Sequence, residues 1–130
     1  MRILDPRRQV GQEGEAAAEA FLRRLGYRII ARNVRSALGE LDLVAEDGAV
    51  IVFVEVKMRR TQDFGGAIHA VDQRKQNRLV RLAALYLSTH HLSRRSCRFD
   101  VVLLQESATG SPRIEHIQNA FEVPGDDLRW

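Results

Sequence analysis

Within residues 39–60, GELDLVAEDGAVIVFVEVKMRR, three carboxylates and one lysine fall at two-residue steps: Glu40 and Asp42, then Glu55 and Lys57. On β-strands such steps put side chains on one face. Asp47-Gly48 is a strong short-hairpin signal between them. Whether it forms a two-residue turn or lies inside a four-residue loop, Glu40 is expected opposite Glu55 and Asp42 opposite Phe53. One face then carries Glu40, Asp42, Phe53, Glu55 and Lys57, and the other Leu41, Leu43, Val52, Val54 and Val56. Like charges facing each other across strands are destabilising, and a strand as apolar as residues 50–56 is usually covered on both faces. The carboxylates therefore need a divalent cation, a basic partner or extra protons. A hard ion such as Mg²⁺ (or Mn²⁺) suits them, because it takes oxygen ligands and is commonly shared between carboxylates and substrate phosphates. The chemistry of such a set is metal-assisted hydrolysis of a phosphodiester. The competing reading is a structural salt bridge from Lys57 to Glu55 or Glu40, but one lysine cannot neutralise three carboxylates.

The charge distribution points the same way. The net charge is +3 over 130 residues, yet residues 57–98 alone carry +8 while residues 1–56 and 99–130 carry −1 and −4. A basic segment between acidic ones suits a polyanion, since cations that neutralise phosphates release counterions. Arg59, Arg60, Arg74, Lys75, Arg78 and Arg81 are the expected phosphate contacts, which position nucleic acid without reading its sequence. The alternative is a solvated charged helix face. Only two of the twenty basic residues are lysines, Lys57 and Lys75. Single Cys97 excludes an intramolecular disulfide, and His69, His90, His91 and His116 lack zinc-ligand spacing with it. No apolar run approaches the length of a membrane span, and no apolar targeting stretch opens the chain, so a soluble cytoplasmic protein is expected.

The elements that must position these residues follow from pattern. Residues 11–26 read as a helix, rich in Ala and Glu and stopped at Gly26, with Ala17, Ala20, Phe21 and Leu25 at helical spacing and Glu15, Ala18, Glu19 and Leu22 on an adjoining stripe. Strands are expected at residues 27–34, 41–45, 50–57, 99–104 and 113–121. A second helix spans residues 71–88, burying Leu79, Leu82, Ala83 and Tyr86 while Arg74, Arg78 and Arg81 form a basic stripe. Lys75, at helical spacing from Leu79 and Leu82, points toward the core side, where it could reach the carboxylate site or a phosphate; the alternative is a lysine that buries its stem and snorkels. A loop at residues 61–67 with Gly65-Gly66 lacks the context of a nucleotide-binding loop. Asp100, beside Arg98 on an apolar strand, reads as half of an ion pair. The order gives one α/β domain over residues 1–130 with a mixed sheet, its termini frayed at residues 1–9 and 124–130.

Asp42, a twelve-residue gap and Glu55-Val56-Lys57 at the end of an apolar strand resemble the PD-(D/E)xK nuclease motif. With GQEGEAAAEAFLRRLGYRII before it, Lys75 in the second helix and RFDVVLL after it, nearly the whole chain resembles the YraN-type family of small bacterial proteins, which are similar to archaeal Holliday-junction resolvases. The resemblance implies a restriction endonuclease-like three-layer α/β/α domain. It implies Asp42 and Glu55 as metal ligands and Lys57 assisting the attacking water. It also implies a site role for Glu15, which stands where the resolvases place a helix glutamate. Glu40 is either a further ligand or the partner of an arginine or backbone amide. Leu41 stands where the superfamily motif has proline, as in the YraN-type pattern. The expected activity is Mg²⁺-dependent endonucleolytic hydrolysis of DNA, with branched or recombination intermediates as the narrower substrate. The alternative is a nucleic-acid-binding module that keeps the nuclease fold without cleaving. A homodimer would suit symmetric cleavage of two strands.

Overall fold

The computed structural model describes residues 6–59, 72–105, 110 and 113–121. The elements run α1 (Pro6–Arg24), β1 (Arg28–Ser36), β2 (Gly39–Asp47), β3 (Val50–Arg59), α2 (Gln73–Thr89), β4 (Cys97–Gln105) and β5 (Arg113–Ile117). The five strands form one sheet in the order β1-β2-β3-β4-β5. β3 and β4 pair in parallel along their length and all other neighbours are antiparallel. The mixed sheet follows from the chain order, because β3 reaches β4 only through α2 and a crossover of that length permits a parallel return. Gln118 and Asn119 turn the chain away after β5, so the last strand is shorter than the expected 113–121, and the Ala120 amide donates to Phe99 O instead. Arg60 and the loop at residues 61–67 lie outside the described residues, as do most of the expected frayed termini.

Two apolar layers clamp the sheet. On one face Val44, Ile51, Phe53, Phe99, Val101 and Leu103 pack against Leu79, Leu82, Ala83, Tyr86 and Leu87 of α2. On the other, Leu43, Ala45, Val52, Val54, Val102 and Leu104 pack against Ala18 and Leu22 of α1. The helices thus cover opposite faces, a three-layer arrangement in which β3 and β4 are buried on both sides. The buried stripe of α1 is Gly14, Ala18 and Leu22; Ala20 and Leu25, expected on an apolar stripe, are exposed. A Cβ at Gly14 would meet Leu104 Cδ1 at 3.1 Å and Met58 Cε at 3.5 Å, so glycine lets this turn of the helix lie close against the sheet.

The β2–β3 hairpin differs from expectation by two residues. The turn residues are Gly48 and Ala49, not Asp47-Gly48, with Asp47 paired to Val50 and Val44, rather than Asp42, opposite Phe53. Gly48 has φ 59, the left-handed value that hairpin turns of the primed class require at their first central position. Because the displacement is even, the faces of Val52, Val54, Phe53 and Leu43 are as expected. Leu41 is an exception and packs in the α2-side cluster, and the expected single carboxylate face is split: Glu40 and Asp42 meet Glu15 of α1, whereas Glu55, two residues from Phe53, meets Lys75 of α2. The neighbour strand of Leu41 explains its placement. Asn33 of β1 adopts φ 50, which breaks the alternation there, so Ala31 and Val34 both pack in the α2-side layer while Arg32 and Asn33 turn toward α1. Val34 pairs with Leu41 and Arg32 with Leu43, and β2 changes frame alongside.

The one buried charged residue of the described core is Asp100. It accepts from Arg98 Nε at 3.0 Å and the Asn119 amide at 3.0 Å, and lies 2.8 Å from His116 Nε2. The expected Arg98–Asp100 pair is thus present, and His116 joins it. Burial raises the proton affinity of Asp100, but its partners His116 and Arg98 outweigh this and hold the carboxyl below its ordinary range. The network ties β5 and the following turn to β4. Asp100→Ala removes a shared acceptor and leaves three donors without it. The expected loss is about 2–4 kcal/mol of unfolding free energy in urea titrations at neutral pH, and a loss under about 1 kcal/mol would show that the network does not hold the β4–β5 edge.

Candidate functional site

β2 and β3 stay in register from Asp47↔Val50 to Leu43↔Val54, and there the ladder stops. Beyond it the Val56 amide is met by a side chain, Asp42 Oδ2, at 2.9 Å. Where the strands part, carboxylates from three elements converge. Glu15 of α1, Glu40 and Asp42 of β2 each offer an oxygen, and the three oxygens lie within 4.8 Å of one another. Glu55 of β3 stands close enough for its charge to raise both Asp42 and Glu15. The expected Glu40–Glu55 opposition is therefore replaced by an Asp42–Glu55 approach, because the hairpin register is longer by one pair.

The cluster is short of positive charge. Asn33, with its amide nitrogen turned toward the acids as hydrogen bonding dictates, donates to Glu15 Oε2 and Glu40 Oε1, each at 2.8 Å. Arg35 Nε lies 3.4 Å from Glu40 Oε2. Lys75 of α2 meets Glu55, Nζ to Oε1, at 2.5 Å. Burial, then repulsion from Glu55, pushes Asp42 up to about 7 despite the Val56 amide. Burial, then repulsion from Glu40, raises Glu15. Glu19, one helical turn from Glu15, shows the opposite case: Arg32 donates from Nε to Oε2 at 2.7 Å and Arg23 from Nη2 to Oε1 at 2.8 Å, and these bonds, Arg32 first, lower it to about 2. Neighbouring glutamates on one stripe thus divide into a neutralised one and one left for another cation.

The other candidates are placed as follows. Lys57 is exposed on β3, and among the described residues no carboxylate pairs with it. Arg59 closes β3, and Arg60 is outside the described residues. Arg74, Arg78 and Arg81, exposed on α2, line with Asn77 and Leu38 a groove of about 530 Å³. Arg78 lies against Gly39, where a Cβ would sit 3.5 Å from its Cδ; the φ of 136 at Gly39 also calls for glycine. No described carboxylate pairs with these three arginines, whereas Arg23, Arg32, Arg35, Arg95 and Arg98 are all in ion pairs. Asn33 was not legible as a site residue. Its only signal in the sequence is a residue tolerant of left-handed backbone inside a strand.

Fold and site together define a small mixed-sheet α/β domain with an acidic cluster where two central strands separate. The chain belongs to uncharacterised protein family UPF0102, whose profile matches residues 14–104. It is 54% identical to the UPF0102 protein STH1475 of Symbiobacterium thermophilum over 116 residues, 89% of this chain and 98% of that one. It is 52% identical to a UPF0102 protein of Moorella thermoacetica over 119 residues, 88% of this chain and 97% of that one. Among solved structures it is similar to Pyrococcus furiosus SfsA in complex with Ca²⁺, with 16% identity and a TM-score of 0.41 over 93% of this chain and 67% of that chain, too loose a likeness to carry weight. No described helix is long and apolar enough to cross a membrane.

The raised Asp42 has a consequence for stability. The unfolded chain releases this proton near the ordinary value of 3.8 and the folded chain near 7, so between them the folded state binds more protons and stability falls as pH rises. In the presence of a chelator, Asp42→Asn is expected to gain about 2 kcal/mol on the wild type between pH 5 and pH 8. Denaturant titrations at the two pH values check this, and equal losses in the two proteins would remove Asp42 as the source.

Proposed function

We propose that this protein is a metal-dependent phosphodiesterase acting on nucleic acid, with DNA as the substrate and Mg²⁺ or Mn²⁺ as the cofactor. The observation that carries the reading is the convergence of Glu15, Glu40, Asp42 and Glu55 from α1, β2 and β3, under-neutralised, on a domain whose α2 presents Arg74, Arg78 and Arg81 without carboxylate partners among the described residues. The donor set is all oxygen, which fits a hard divalent ion and not zinc or copper. The neutral Asn33 amide bridging two carboxylates organises them without adding the missing charge. Asp42 and Glu55 would hold the ion, with Glu15 and Glu40 completing the oxygen set. When bound, the ion supplies Lewis acidity toward a phosphoryl oxygen and acidifies a coordinated water.

The rest of the chemistry belongs to the chain. Asp42, anchored to the Val56 amide, and Glu55, anchored to Lys75, are fixed in direction before substrate arrives, which removes reorganisation from the reaction. In the hydrolysis a P–O bond forms to the water oxygen while one ester P–O bond breaks. The water proton passes to solvent and the leaving alkoxide takes one up. Arg74, Arg78 and Arg81 recur at helical spacing along α2, so their guanidinium groups present a row to which successive backbone phosphates can bind. The resemblance of Asp42 and Glu55-Val56-Lys57 to the PD-(D/E)xK motif supports a restriction endonuclease-like assignment, and the likeness to junction resolvases makes branched DNA the narrower substrate.

The test is a panel of linear, single-stranded, flap and four-way DNA, with RNA alongside, incubated with Mg²⁺ or Mn²⁺. Cleavage of at least one DNA is expected, falling at least about 100-fold in Glu55→Ala and Asp42→Ala. No cleavage, or equal cleavage by wild type and variants, defeats the catalytic reading and leaves the non-cleaving binding module. A separate measurement addresses the groove. Replacing Arg74, Arg78 and Arg81 together by Ala should weaken DNA binding by Glu55→Ala protein and flatten its log–log salt dependence by about 2–3; an unchanged slope would place the phosphates elsewhere.

A further inference from the structure

We propose that Lys75 of α2, not Lys57 of β3, is the site's lysine: it fixes the direction of the Glu55 carboxylate and competes with the divalent ion for it. The inference rests on the reading of Glu55 as a metal ligand. Its basis is geometric. The Lys75 ammonium lies 2.5 Å from Glu55 Oε1, with 27% and 12% of the two side chains exposed, so the pair is largely shielded from water. A cation in that position occupies one of the directions from which a metal ion would approach the same oxygen.

Lys75 is also held at its backbone. It is the third residue of α2, and its amide donates to Asp72 Oδ1, the helix N-cap, at 2.9 Å. One turn further, buried Leu79 and Leu82 seat the helix on the sheet face that carries Phe53, two residues before Glu55. The reach from α2 to Glu55 is thus set by the cap on one side and the core on the other. Lys57 has no comparable support, being exposed with no described carboxylate partner. The chemistry of the side chain fits as well. Arginine supplies eighteen of the twenty basic residues, yet position 75 is lysine. A compact ammonium can occupy one carboxylate oxygen and withdraw, whereas a guanidinium fork would chelate the carboxylate in competition with any metal.

A positioning residue that is also a competitor has a signature that a structural ion pair lacks. Mn²⁺ binding to the full chain, measured by calorimetry, is expected to tighten at least about 5-fold in Lys75→Met and to change less than about 2-fold in Lys57→Met. At saturating Mn²⁺ the Lys75→Met protein should nonetheless cut DNA more slowly, with kcat lowered and KM little changed, and Lys75→Arg should fail to restore it. Lys75→Gln serves as a second variant if the methionine protein does not fold, as judged by circular dichroism. Tighter metal binding in Lys57→Met with none in Lys75→Met would overturn the assignment while leaving the phosphodiesterase reading intact. Weaker binding in both Lys75 variants would also overturn it, by showing a purely structural pair. Tighter binding in Lys75→Met from a chain that cuts nothing would uphold the competition at Glu55 and defeat hydrolysis.

Discussion

The Val56 amide is the point on which the site depends. Backbone donors in a sheet interior must be paired, and the β2–β3 ladder ends at Leu43↔Val54, leaving this one without a carbonyl opposite. Asp42 supplies the acceptor from its side chain. That solution draws a carboxylate into the gap between two central strands, where burial and Glu55 together raise its proton affinity. A neutral acceptor such as asparagine would satisfy the amide without this electrostatic cost. A charged group where a neutral one would serve is the kind of electrostatic cost on which the proposed metal-binding role rests.

The same logic separates Glu15 from Glu19. Both lie beside the buried stripe of α1; Gly14 seats that stripe against Leu104 of β4 and Met58 of β3, and the two glutamates meet residues of β1 and β2. Glu19 meets Arg32 and Arg23 and is neutralised. Glu15 meets the Asn33 amide, a dipole, alongside Glu40. The left-handed turn at Asn33 aims its side chain there, while Arg32 faces Glu19 by alternation after the register shift between Ile29 and Ala31.

Part of this was legible in residues 39–57: the carboxylates do converge, but across a change of frame in β2 that sets Glu40 and Asp42 toward Glu15 of α1 and Glu55 toward Lys75 of α2, not on the one face that period-two spacing implied. Seven expected elements match the seven observed, and the buried stripe of α2 falls on Leu79, Leu82, Ala83 and Tyr86 as its pattern implies. The register itself was not legible. Asp47-Gly48 and Gly48-Ala49 both place a glycine in a two-residue turn, and because the displacement between them is even, hydrophobic alternation cannot choose between them. Leu41 and Asn33 escaped for a related reason: a single left-handed residue reverses alternation without any change in hydrophobic composition. Lys75 was readable as pointing coreward, but its partner was not, since Glu55 is twenty residues away and the loop between them has no pattern that fixes the approach of α2.

α2 carries two kinds of cation, and the difference between them bears on the proposed reaction. Arg23 of α1 and Arg28, Arg32, Arg35 and Arg98 of the sheet are engaged by carboxylates, whereas Arg74, Arg78 and Arg81 of α2 have no described acidic partner and line one groove together. Exposed guanidinium groups lining one groove lower the potential energy of any anion that enters it, and the low-dielectric helix face behind them strengthens the effect. Lys75 sits on the same first turn as Arg74 but turns inward to Glu55. An anion drawn along the arginines would therefore meet the acidic cluster at the end of α2, where only a bound cation makes approach favourable. Under the proposed reading the two features make different demands, an anion for the arginine-lined groove and a divalent ion for the carboxylates, and a phosphodiester substrate is the class that would meet both.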